Sequence, residues 1–146
     1  MIFRKEQPIP EEAVSLREQR AMQGDRLSFA ASEAYKLLRT NLTFALPDEE
    51  KCRVVGVTSA MRGEGKSTTS INLAYTLAET GKKVLLIEAD MRRPNLARRL
   101  AIDPAPGLSN LLAGLCQEQD VVQDVGLLDS LKAVSYTHLR AHETDS

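Results

Sequence analysis

Apolar positions recur along this chain in two rhythms, and the switches between them predict most of its elements. Ala34, Leu37, Leu38, Leu42 and Ala45 fall on one stripe of a 3.6-residue helix, with Ser32 as a cap and Pro47 past its end. That stripe should face the core. Glu33, Lys36, Arg39 and Thr40 take the opposite face, where a weak i,i+3 ion pair in solvent is the plain expectation. Beyond the polar break Pro47–Lys51, the β-branched run Arg53–Thr58 predicts a buried strand. A glycine-containing turn, Ser59 to Gly65, leads into a second helical stripe of Ile71, Ala74, Leu77 and Ala78, which Gly81 should end. Lys83–Glu88 is again nearly continuous in apolar residues, the pattern of a strand covered on both faces. Strand, helix and strand within roughly 35 residues make a βαβ unit with a right-handed crossover. Pro94 then opens a short helix through Leu100. After the loop Asp103–Gly107, residues Leu108, Leu111, Leu112 and Leu115 mark another.

The two ends lack such rhythm. Residues 1–28 carry scattered charge with Pro8 and Pro10 and read as a flexible arm; 29–134 form the patterned body. Residues 135–146 hold both histidines, His138 and His142, without an apolar period, and read as a polar tail unlike the rest, foreign to the native reading frame. Nothing around those histidines completes a metal donor set.

Composition narrows the function classes. The 146 residues suit one soluble domain. Nineteen Lys and Arg against twenty Asp and Glu give a net charge of -1, which offers no bulk attraction for nucleic acid. No apolar run approaches the roughly 20 residues of a membrane span. Two cysteines, Cys52 and Cys116, make no disulfide framework, and no secretory h-region is visible, so a cytoplasmic setting is expected. With aromatics at 4% and no Trp, the core must come from Leu, Val, Ile and Ala.

Two motifs carry chemistry. Ala60-Met61-Arg62-Gly63-Glu64-Gly65-Lys66-Ser67-Thr68 fits a phosphate-binding loop between a strand and a helix. Its glycines let backbone N–H groups turn inward on an anion, and the following helix adds its positive end. Lys66 would reach the β and γ phosphates, and Ser67 would place its hydroxyl on Mg²⁺. The other reading is a Gly-rich turn that holds no nucleotide. Glu88 and Asp90 close the second strand at the sheet edge where α/β folds bind ligands. Strand alternation would point both the same way, toward Mg²⁺ or an acceptor hydroxyl. Alone, they would read as a solvated strand end with Arg92 and Arg93 as counter-charges.

Ser32–Leu42, Thr58–Thr68, Leu86–Pro94 and Gly107–Gly114 together resemble the bacterial tyrosine kinases of capsular and exopolysaccharide synthesis, over about residues 32 to 134. The resemblance implies an α/β P-loop NTPase-like fold, a parallel sheet flanked by helices, incomplete here at the C-terminus. It implies ATP and Mg²⁺ as cofactors and autophosphorylation on tyrosine. Lys66, Asp90 and Glu88 become the catalytic residues, and Ser67 and Asp90 the metal ligands. Met61, Arg62, Gly63, Glu64, Gly65, Lys66, Ser67, Thr68 and Arg92 line the nucleotide. Glu88 stands where the family usually has Asp. Glu33, Lys36 and Arg39 match a helix motif used for subunit contacts, Lys36 replacing an Arg that would offer a bidentate fork. The family forms ring-like homo-oligomers, acts on protein tyrosines beside a transmembrane partner of polysaccharide export, and lies at the inner face of the membrane. A Walker B aspartate and a C-terminal tyrosine cluster, both expected of the family, are not seen in this chain.

Two other functions are open on sequence. A partitioning-type ATPase of the deviant Walker class would carry a lysine at the position of Met61, and it would turn Arg92, Arg93, Arg98 and Arg99 into a DNA patch. Those arginines read more plainly as helix-surface charges and phosphate contacts. An inactive nucleotide-binding or interaction fragment is the second.

Overall fold

The fold was obtained as a computed structural model that describes residues 23–46, 52–61 and 65–136. Arg62, Gly63 and Glu64 of the expected phosphate loop lie outside the described residues, as do residues 1–22 of the arm and 137–146 of the tail with His138 and His142.

Helix α1 (Phe29–Ala45) begins one turn earlier than the pattern predicts. Ser28, not Ser32, caps it, its Oγ accepting from the Ala31 N–H at 3.2 Å. Its packing face also differs. Ala31, Tyr35, Arg39 and Leu42 are the half-buried side, whereas Ala34, Leu37, Leu38 and Ala45 of the predicted core stripe are exposed. The reason is the partner: Arg39 donates to the Thr76 carbonyl of the neighbouring helix at 2.8 Å, so the face that carries Arg39 and Tyr35 is the half-buried one. Phe29 and Phe44, on the far side, are 82% and 85% exposed.

Residues 52–59 form no strand. They carry no ladder hydrogen bonds to the sheet, and Val54, Val55 and Val57 are exposed. A β-branched run becomes a strand only where an edge pairs it and a face buries it, and here neither happens. Helix α2 (Lys66–Ala78) follows and is the centre of the core, with Ile71, Leu73, Ala74, Tyr75 and Ala78 buried. Burying each such large side chain contributes about 1.5–3 kcal/mol. The chain reverses through Gly81, whose φ of 85° suits glycine, into strand β1 (Val84–Ile87).

Short helices α3 (Leu96–Leu100), α4 (Leu108–Leu112) and α5 (Glu118–Val121) then lead to strands β2 (Gln123–Asp124) and β3 (Leu131–Val134). The sheet order is β1-β3-β2. β1 and β3 are parallel, Val84 opposite Leu131 through Ile87 opposite Val134, and β2 is antiparallel to β3. The parallel partner of β1 is thus β3, reached through three short helices, in place of the predicted 53–58 segment. Only one face of β1 is covered: Val84 and Leu86 pack on α2, while Leu85 and Ile87 are about half exposed. Ile71, Leu96, Leu100 and Ala133 join α2, α3 and β3 in one cluster; Ala74, Tyr75, Ala78 and Leu131 form another.

The described part of the arm docks: the Gly24 N–H donates to Asn72 Oδ1 at 2.9 Å on α2. At the other end Ser135 is fully buried, its Oγ donating to the Asp103 and Pro104 carbonyls at 3.1 Å. Among the described residues no helix is long and apolar enough to cross a membrane.

Candidate functional site

The site forms where the N-terminus of α2 meets the carboxyl end of β1. Gly65 precedes α2 with φ 82°, and among the described residues a Cβ built there meets nothing within 4 Å. Among the described residues no side chain caps α2, and its first backbone bond runs from the Thr69 N–H to the Gly65 carbonyl. The N–H groups at the start of the helix therefore face outward with the positive end of the helix dipole, a ready anion cradle.

Lys66 Nζ lies 3.2 Å from Asp90 Oδ2, which joins the two motifs across 24 positions of sequence. Both side chains are about one-third exposed. The other oxygen of Asp90 accepts from the Arg92 and Arg93 N–H groups, each at 3.1 Å. The Arg93 N–H chiefly, with the Lys66 ammonium and the Arg92 N–H, holds the Asp90 carboxyl below its ordinary value against partial desolvation. Asp90 is thus an ionised acceptor already carrying a cation.

Glu88 behaves differently. Its Oε1 accepts from the Asn95 and Leu96 N–H groups at 2.7 and 3.0 Å, and its Oε2 from the Tyr136 N–H at 3.2 Å. The side chain is only 9% exposed. The predicted shared orientation of Glu88 and Asp90 does not survive, because the strand ends at Ile87 and alternation lapses beyond it. Glu88 fastens the start of α3 and the end of β3 to β1; Asp90 faces Lys66.

Asn95, which the sequence does not single out, and Arg99, which it offers as a helix-surface charge or phosphate contact, belong here. Asn95 Oδ1 accepts from Ser67 Oγ at 3.1 Å, so the hydroxyl expected on a metal is held by α3. Asn95 follows Pro94 at a helix start, a capping position that could have flagged it. Arg99 is 6% exposed and donates from Nη2 to Thr68 Oγ1 at 2.8 Å, not the surface charge its run of arginines suggested. Nothing local in sequence announces that burial. Met61 is exposed, and Arg92 contributes its backbone to Asp90 while remaining exposed itself. Glu33 and Lys36 form an exposed ion pair at 3.2 Å, away from Arg39, which is bound to α2. Among the described residues no group of three His, Cys, Asp or Glu side chains could hold a metal.

A family model described as an AAA domain matches residues 52–136, more than half of the chain. This chain belongs to the AAA domain family. Membership in this AAA domain family implies use of ATP, and the outward N–H groups of α2 with Lys66 fit a phosphate group. The chain is 44% identical over 92 residues to tyrosine-protein kinase YwqD of Bacillus subtilis, covering 63% of this chain and 38% of that protein. It is 37% identical over 91 residues to tyrosine-protein kinase CpsD of Streptococcus agalactiae, again 38% of that protein. This AAA domain therefore spans well under half the length of those relatives. Its fold matches the kinase domain of Escherichia coli tyrosine kinase ETK with a TM-score of 0.73 and 29% identity, over 87% of this chain and 48% of that one. The chimerical protein CapA2B2 matches with a TM-score of 0.72, 28% identity, and 86% and 54% coverage. The mixed α/β architecture, a P-loop NTPase-like sheet with a parallel pair flanked by helices, is shared with the ETK kinase domain and with CapA2B2.

Proposed function

We propose that this AAA domain is the nucleotide-binding part of an ATP-dependent protein-tyrosine autokinase of capsular or exopolysaccharide synthesis. The observation that carries the reading is the 3.2 Å contact of Lys66 with Asp90 at the start of α2. It brings a phosphate lysine and an ionised carboxylate to one place, the pair that in-line phosphoryl transfer requires. Lys66 would balance charge on the phosphates as the bond to the leaving group breaks. Asp90 would orient an acceptor hydroxyl and share Mg²⁺ with Ser67. Magnesium keeps much of its water and needs only one or two protein oxygens beside phosphate, so a hydroxyl and a carboxylate fit it without a larger cage. Glu88, saturated by backbone N–H groups, would support the site from beneath.

The names of the relatives support tyrosine as the acceptor. Self-association through the face of α1 that carries Glu33 and Lys36, and a transmembrane partner at the inner membrane face, complete the proposal. The net charge of -1 and the absence of a lysine at Met61 favour it over a partitioning ATPase on DNA. The test is transfer of label from γ-³²P-ATP to poly(Glu,Tyr) and to the chain itself. Mg²⁺-dependent label on tyrosine, lost in Lys66→Met, is expected. Equal labelling by Lys66→Met would remove Lys66 from the mechanism, and no labelling at all would leave a binding fragment.

A further inference from the structure

Arg99 poses a problem of charge. The residue is 6% exposed, and among the described residues its guanidinium makes no ion pair, its one side-chain hydrogen bond is to the Thr68 hydroxyl, and its buried Nε has no partner. A buried cation without an anion is costly, and a hydroxyl does not neutralise it. Burial pulls its pKa down, and Tyr35 is the one titratable group whose field acts on it in the opposite sense.

The packing of α1 on α2 explains why Tyr35 is near. Arg39 meets the Thr76 carbonyl, and Thr43 and Phe44 share a groove with Thr80, so the two helices run side by side in the same direction. Tyr35, one turn before Arg39, is then level with the first half of α2. A helical tyrosine leans toward its own N-terminus, which aims the ring at the turn holding Thr68. Tyr35 is half-buried on that face, and its hydroxyl has no hydrogen-bond partner among the described residues. A phenol without a partner and a guanidinium without an anion thus occupy one corner, a turn below the cradle.

We propose that Tyr35 is an acceptor tyrosine of this chain and that Arg99, with Thr68, receives the phosphate it comes to carry. The acceptor half rests on the kinase reading above. In the transfer, Tyr35 Oη bonds to the γ phosphorus of ATP, the bond from that phosphorus to the β–γ bridging oxygen breaks, ADP leaves, and the phenolic proton passes to solvent. The product dianion supplies the charge that Arg99 lacks and accepts from Nε as well, as guanidinium and phosphate pair in a planar fork. The modification would pin α1 to the start of α2 and to α3, next to the residues that hold nucleotide.

Two experiments separate the halves. The full chain is incubated with Mg-ATP, alone and with poly(Glu,Tyr), and Tyr35 is mapped by mass spectrometry. Phosphate on Tyr35 is expected; label on poly(Glu,Tyr) with Tyr35 unmodified would overturn the acceptor role while leaving the kinase reading intact. Label on neither would overturn the kinase reading and the acceptor role together, and the second experiment then judges the receptor alone. Phosphotyrosine is installed at position 35 during translation, in the native chain and in Arg99→Leu and Arg99→Lys, and each is compared with its own unmodified form. In the native chain the melting midpoint should rise and the phosphate should titrate about one unit below its usual value near 6 by ³¹P NMR. Arg99→Leu should lose both shifts, and Arg99→Lys should keep part of them. An unshifted phosphate in the native chain, or one equally shifted in Arg99→Leu, would overturn the receptor. Because each variant is its own reference, any loss of basal stability cancels.

Discussion

Glu88 and Asp90 stand two residues apart, yet they belong to regions governed by different physics. Glu88 sits in a buried polar knot where the Asn95, Leu96 and Tyr136 N–H groups converge on one carboxyl group. Asp90 sits in an open mouth, about one-third exposed, sharing one oxygen with Lys66. Burial makes the knot permanent, since breaking it leaves charged or polar groups without water. Exposure makes the mouth exchangeable, since a half-solvated ion pair gives up a partner to an incoming phosphate at small cost. Asn95 spans both, donating its N–H to Glu88 while its side chain accepts from Ser67.

The contrast can be broken most forcefully at Glu88. Glu88→Ala should cost about 3–5 kcal/mol in a urea titration, because three backbone donors, one buried and two half-buried, lose their carboxyl acceptor together. Glu88→Asp, one methylene shorter, should fall between that variant and the native chain; a native midpoint in both would mean that the knot holds nothing. Next in size is Gly107→Ala. A Cβ there would stand 2.5 Å from the Ser135 carbonyl oxygen, a backbone atom that cannot swing aside as a side chain could. The clash should cost about 1–3 kcal/mol, while unchanged stability would argue that the chain around Ser135 is not held tightly.

Asp90→Ala should divide stability from activity. Its unfolding free energy should stay within about 1 kcal/mol of native, as for other exposed pairs, while tyrosine phosphotransfer falls by at least about 100-fold. A stability loss matching that of Glu88→Ala would erase the difference between the two regions. The smallest effect is in acid. The folded Asp90 carboxyl is depressed, so its stabilising contribution is complete above the ordinary aspartate value near 3.9 and is lost only as pH falls through the lower folded value. Asp90 should therefore contribute no change in stability between pH 7 and 5. An NMR titration midpoint for Asp90 at or above the ordinary value would contradict the contacts that hold it.

Particular elements explain what could be read in advance. The motif ending in Gly65, Lys66 and Ser67 predicts a helix start from local residues alone, and α2 does begin at Lys66, while Arg62, Gly63 and Glu64 lie outside the described residues. Helix α2 was legible for a similar reason, since Ile71, Ala74 and Ala78 lie on one stripe and the stripe is buried. The face of α1 was misjudged because it offers two usable sides, and the choice fell to the partner helix, whose Thr76 carbonyl takes Arg39. The run 53–58 has the composition of a strand but no pairing edge, and pairing is a property of the neighbour. Strand β3 escaped for the converse reason: Leu131–Val134 is short and unremarkable until β1 and β2 lie on either side of it.

The sequence by itself determined the family and the order of the motifs, since both reside in residues a few positions apart whose conformation is set by local sterics and hydrogen bonding. Only the tertiary structure decided the division of labour between two acidic residues. It sent Glu88 inward to bind backbone 7, 8 and 48 positions away, and it left Asp90 beside a lysine 24 positions away. It also buried Arg99 next to Thr68. Burial and solvation fix what a charge does, and both are summed over chain segments that come together only when the whole fold forms.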